Sequence, residues 1–223
     1  MDWSPILISM RTAGLSIVFT FFMGILAAWM VVRISPPLVK TILDGIFTIP
    51  LVLPPTVAGF FLLYVFGVKR PVGQFFLEYF SVKIAFSWGA TVLAAVVMSF
   101  PLMYRSARGA FEQVDDTLVQ AARTLGMGEW TIFRKVLLAN AVPGVVSGGV
   151  LAFARGLGEF GATAMIAGNI VGKTRTLPMA VYSEVAAGNM EAAYSYVAII
   201  VVIAFLSVFL MNGVMWYSQK KSR

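Results

Sequence analysis

Cysteine and histidine are both missing from this 223-residue chain, and only 12% of its residues are charged. Without cysteine, neither redox compartment nor thiol chemistry can be read. Without histidine, the commonest proton relay and metal ligand is gone. The 10 acidic residues are scattered rather than paired, so the pattern offers no acid–base pair, no metal site and no enzyme. What the chain has in abundance is apolar length, with 59% of its residues hydrophobic. That is far above the usual range for a soluble domain.

Five runs carry no Asp, Glu, Lys or Arg: residues 15–32, 46–66, 84–103, 136–154 and 194–217. Each is close to the ~20 residues a helix needs to cross a ~30 Å hydrocarbon layer. Helices satisfy their own backbone groups inside lipid, and the alternation of a transmembrane barrel strand is absent. The expected fold class is an all-α polytopic membrane protein, one transmembrane domain over residues 1–223. The first run is not read as a signal peptide. It is long, only Arg11 precedes it, and four more runs follow. A further apolar piece, residues 160–172, is too short to span and is expected to re-enter, buried against other helices; the alternative, a sixth span, would place Lys173 or Arg175 at depth.

The net charge of +7 does not call for nucleic acid, because most cations flank apolar runs as lipid headgroup anchors do. With five spans, one side collects Arg33, Lys40, Arg105, Arg108, Arg123, Arg134, Lys135, Lys220, Lys221 and Arg223. The other collects Arg11, Lys69, Arg70, Lys83, Arg155, Lys173 and Arg175. The richer side is expected in the cytoplasm, with the N-terminus outside and the C-terminus inside. Within the runs, Gly144, Gly148, Gly149 and Gly156 suit close helix packing. Pro50, Pro54 and Pro55 break the start of the second run, either as a kink or as a pathway-lining segment.

Residues 111–143, FEQVDDTLVQAARTLGMGEWTIFRKVLLANAVP, read differently. Charges cluster there between apolar runs, good helix formers fill the stretch, and Gly126 divides it. Thr117 and Gln120 fit a capping box, with Asp115 and Asp116 adding negative charge at a helix start. Leu118, Ala121, Ala122 and Leu125 share one face at helical spacing. A helix lying on headgroups would favour Trp, Phe and Leu over Ala. Docking into a protein groove is therefore the expectation for the loop at residues 111–135.

The segment QAARTLGMGEWTIFRKVLLANAVPG resembles the EAA loop of ABC-transporter permeases, aligning Gln120, Ala121, Ala122, Gly126, Val136 and Leu138. Gln120 stands where that family has Glu, and Ala139 where it has Pro. Residues 49–60, 85–108, 151–163 and 174–182 add similarity to the molybdate branch of these permeases. The resemblance implies a type I importer permease working as a homodimer in a bacterial or archaeal cell (inner) membrane. It also implies a pair of cytoplasmic ABC ATPase subunits, which would use ATP and Mg, and an extracytoplasmic molybdate-binding protein. In that family the loop helix enters a groove on the ATPase. Ala121, Ala122 and Gly126 would then give close contact, and Gln120, Arg123 and Glu129 polar contact. The cargo implied is molybdate or a similar oxyanion such as tungstate; a sulfate importer shares the architecture.

A divalent oxyanion cannot cross hydrocarbon unaided, yet no Lys or Arg lies far from the end of a run. Thr56, Ser99 and Thr163 are candidate weak pathway contacts, each with ordinary packing as its alternative. Arg155 and Glu159 are one helical turn apart, either an i,i+4 ion pair or residues of the outer mouth. AGNIVGKT at residues 167–174 imitates a phosphate-binding loop but begins with Ala167 and follows no strand. No ATP site and no cofactor is therefore expected in this chain. An ion-coupled secondary carrier would want intramembrane carboxylates, which the five runs lack.

Overall fold

The computed structural model describes residues 2–221, with side chains described as far as Gly213. Arg223, counted above with the cytoplasmic cations, lies outside the described residues. Eleven α-helices follow one another: α1 (Ser4–Val32), α2 (Pro37–Val52), α3 (Pro55–Phe66), α4 (Pro71–Phe80), α5 (Trp88–Glu112), α6 (Asp116–Thr124), α7 (Glu129–Ile132), α8 (Leu138–Leu157), α9 (Gly161–Ile166), α10 (Leu177–Ala186) and α11 (Met190–Lys221). A π-helical turn, Phe133–Leu137, joins α7 to α8, so Glu129–Leu157 is one rod.

Four helical rods are long and apolar enough to cross a membrane: α1, α5, α7–α8 and α11. The pair α2–α3 makes a fifth span only if the two count as one, for they are bent by 110°. The second run is therefore not a straight span. Pro54 and Pro55 lack N–H donors and push Leu53 and Pro54 into extended backbone, ψ 142° and 134°. Pro50 stays inside α2, so it does not make the break. The other charge-free runs mark the apolar part of a helix and not its ends. The first rod begins eleven residues before residue 15, and the third begins seven before residue 136.

Lipid gives no hydrophobic drive between helices, so contact must come from small residues and interhelical hydrogen bonds. Helices α1 and α5 run parallel, joined by Thr12–Thr91 hydroxyls at 2.9 Å and Thr20–Ser99 hydroxyls at 3.0 Å. Ala27, Ala28 and Ala107 are buried together in the cluster on this side of the bundle, and Ala90 and Ala94 are buried in a second cluster with Ala58 of α3 and Ala162 of α9. Gly148 fits α8 against α5 so closely that a Cβ would meet the Ser106 Cβ at 2.4 Å. The glycines of this rod are packing residues, as expected of small-xxx-small steps. The re-entrant piece is a short helix, α9, with Gly161, Ala162, Thr163 and Ile166 buried. At Gly59, on α3, a Cβ would stand 2.6 Å from Ala162 Cα.

Candidate functional site

At one end of the bundle, α5 leaves the layer and turns into α6. The N-cap is Asp115, whose carboxylate accepts the Thr117 N–H at 2.8 Å. This corrects the expected capping box on Thr117: Asp115 precedes the helix with extended ψ and reaches two residues on, the geometry an N-cap needs. That N–H holds the Asp115 carboxyl below its ordinary range. Helix α6 stops in a Schellman turn. Met127 N–H bonds Ala122 O at 3.1 Å and Gly126 N–H bonds Arg123 O at 2.9 Å. Gly126 has φ +75°, a conformation that Cβ-bearing residues resist.

The expected contact face is split. Ala122 turns inward and is buried, while Ala121 and Gln120 are exposed. Leu118 and Leu125 are also exposed, Leu125 at 76%, with Met127 and Trp130 beside them. Sequence reasoning did not single out Met127 or Trp130; two bulky apolar residues in a charged loop were the available signal. Arg123 and Glu129 do not project as independent polar contacts. Arg123 Nε donates to Glu129 Oε1 at 2.8 Å across the turn, and Arg33 Nη2 lies 3.2 Å from Glu129 Oε2. The pair closes the turn on itself and ties it to the end of α1. Further ion pairs follow, Lys40 with Glu112 at 2.9 Å and Arg108 with both Asp44 and Glu112, binding α2 to α5. Cavities of about 580 and 520 Å³ lie on the two sides of α6. The helix is anchored at its ends more than along its length.

At the opposite end, four of the five pathway candidates gather where α3 meets α9. Arg155 Nη1 reaches Glu159 Oε2 at 2.6 Å, and that side chain is only 1% exposed. Its other oxygen accepts the Ala162 N–H at 2.8 Å at the start of α9. Gly161 abuts Pro55 and the Thr56 N–H, where a Cβ would come to 2.8 and 3.1 Å. Thr56 is exposed and Thr163 buried. Ser99 is elsewhere: 1% exposed, it donates to Ala95 O at 2.6 Å and pairs with Thr20. It is part of the α1–α5 seam. The imitation phosphate loop is a self-contained turn, in which Thr174 Oγ1 accepts from Ile170 N–H and donates to Gly168 O. No strand precedes it.

The chain is matched over residues 20–223 by the family model for the binding-protein-dependent transport system inner membrane component. The chain belongs to that family. Its similarity to curated relatives extends over nearly the full length. It is 41% identical to the molybdenum transport system permease protein ModB of Escherichia coli K12, covering 99% of this chain and 96% of that one. ModB of Azotobacter vinelandii is 33% identical over 93% of this chain and 92% of its own. Among solved structures, the fold is that of the MetNI methionine ABC transporter, with TM-score 0.73, 18% identity, and coverage of 96% and 94%. A bacterial ABC transporter importing alginate gives TM-score 0.78 at 15% identity, covering 96% of this chain and 78% of that one. This family member thus has a type I ABC importer permease fold, and it is a multi-pass membrane protein.

Proposed function

We propose that this chain is the permease subunit of an ATP-driven importer of molybdate, or of a closely similar tetrahedral oxyanion such as tungstate. It works as a homodimer, with two cytosolic ATPase subunits below and an extracytoplasmic binding protein above. ATP and Mg belong to the ATPase subunits. The N-terminus is outside and the C-terminus in the cytoplasm, placing α6 on the ATPase side.

The observation carrying this reading is α6 itself: nine residues, capped at both ends, presenting Leu118, Ala121 and Leu125 outward. Apolar side chains on a charged loop gain by entering a groove. Gln120 and Gly126 lie beside them, while Ala122, Arg123 and Glu129 hold the helix and its turn in shape. Near full-length identity to molybdenum transport permeases supports the cargo. Cations at the ends of the rods, with none midway, suit a pathway that passes the anion without holding it, leaving affinity to the binding protein. Arg155, Glu159, Thr56 and Thr163 mark the outer part of that pathway. Alternating access follows when ATPase closure moves α6.

The test is to purify the chain with its ATPase and binding protein in vesicles and add oxyanions one at a time. Molybdate or tungstate should stimulate ATP hydrolysis and accumulate inside. Preferential stimulation by sulfate would overturn the cargo, and transport without ATP would overturn the importer. Since the chain has no cysteine, Ala121→Cys gives a clean topology probe. Labelling of intact cells by an impermeant thiol reagent would put α6 on the wrong side.

A further inference from the structure

A second feature at the end remote from α6 has no part in the reading above. Ile8 and Arg11 of α1, Trp88 at the start of α5, and Gly172 with Lys173 from the turn before α10 line a cavity of about 310 Å³. The site is built on fixed supports. Trp88 Nε1–H donates to Thr12 Oγ1 at 3.1 Å, and Thr12 in turn meets the buried Thr91 hydroxyl. The indole is thus held by its polar edge while 36% exposed. Lys173 rides on the turn stapled by Thr174, itself fully buried, with Gly172 at φ +70°. Among the described residues neither Arg11 nor Lys173 forms an ion pair, whereas Arg33, Lys40, Arg108, Arg123 and Arg155 all do.

Depth narrows the ligand. Arg11 and Arg33 stand about 33 Å apart along α1 at the helical rise per residue. That is close to the thickness of the hydrocarbon layer, ~30 Å. Arg33 is tied to the α6 end through Glu129, so Arg11 sits at the other headgroup level. Its neighbours on the outer face of α1, Leu15, Val18 and Phe22, are exposed and apolar. Two cations at headgroup depth, beside a part-exposed Trp and at the end of the apolar face of Leu15, Val18 and Phe22, make an amphipathic site. A guanidinium recognises tetrahedral phosphate by paired hydrogen bonds, an ammonium adds a point charge, and the apolar wall takes acyl chain. A free hydrated oxyanion would gain nothing from the indole face or from Leu15, Val18 and Phe22.

We propose that Arg11, Trp88 and Lys173 bind the phosphodiester group of a membrane phospholipid at the bilayer face opposite α6. The transporter complex, delipidated in detergent and titrated with phosphatidylglycerol, is read by native mass spectrometry. Wild type should retain one lipid per permease copy. Arg11→Gln/Lys173→Gln should weaken retention roughly tenfold or more, given the usual worth of two interfacial cations. The charge-preserving Arg11→Lys/Lys173→Arg pair should retain it, separating lost charge from misfolding. Phosphatidylglycerol with brominated chains should quench a fluorescence component that Trp88→Phe removes. Equal retention by the double Gln variant would overturn the site. So would displacement of the lipid by millimolar molybdate, which would make this a cargo site. Spontaneous cross-linking of Arg11→Cys between two copies would show instead that a second permease covers this face.

Discussion

Where α3 meets α9, small residues stand at the crossings, and Glu159, the one buried charged residue described, is held by an arginine and a backbone N–H. At the α6 end the ion pairs are more exposed, cavities flank the helix, and large apolar side chains face outward. The first arrangement tolerates no displacement, because backbone lies against backbone. The second holds a short helix by its ends and leaves its outer face for something else. Close packing fixes a junction, and terminal anchoring leaves a face free.

Attacking the tight junction should have the largest effect. Gly59→Val forces a side chain into Ala162, and at the equally close α5–α8 crossing Gly148→Val forces one into Ser106; overpacking of this kind should cost roughly 3 kcal/mol. Thermal unfolding of the purified complex should show both, and unchanged melting would mean that the crossings can slide. Next, Arg155→Ala strands the Glu159 carboxylate, a loss of about 3 kcal/mol when one partner of a buried pair is removed. Adding Glu159→Gln should restore most of that stability, because the amide oxygen can still accept from Ala162. Failure of the double variant to recover would assign Arg155 a separate role, which uptake measurements would then show.

At α6 the same approach should give smaller stability changes and larger functional ones. Gly126→Val puts a β-branched residue at φ +75°, a local strain of about 1–2 kcal/mol. It should leave the bundle inserted but abolish transport-coupled ATP hydrolysis; intact coupling would count against docking through α6. The smallest effect concerns Asp115. Its folded pKa is depressed, so its capping contribution is present above the unfolded value, near ~3.9, and is lost as pH falls through the folded value. Amide exchange in α6 should therefore rise only at the acid end of a titration, and Asp115→Asn should flatten that dependence.

Much of this was legible from pattern alone. Charge-free stretches locate the crossings because desolvation forbids charge in the layer, but they cannot locate helix ends, since Arg11 rides on the exposed side of α1. The Pro54–Pro55 break was visible; its 110° angle was not, because proline forbids a straight helix without choosing the bend. Spacing and residue type singled out Gly126 as a helix stop and Arg155–Glu159 as an i,i+4 pair, and the structure has both features. The Ser99–Thr20 bond was not legible, because a hydroxyl in an apolar run reads alike whether it lines a pathway or bonds to a neighbouring helix. The inward turn of Ala122 and the Arg33–Glu129 contact join residues whose neighbours only tertiary structure selects.

The π-helical turn at Phe133–Leu137 has its own consequence. Its hydrogen bonds each close one residue later than an α-helix would, between the segment after α6 and the stripe Gly144–Gly148 that meets α5. A regular α-helix would rotate one against the other by about 100°, the angle each residue sweeps. The turn therefore decides which side of the rod carries Glu129 when Gly144 and Gly148 lie against α5.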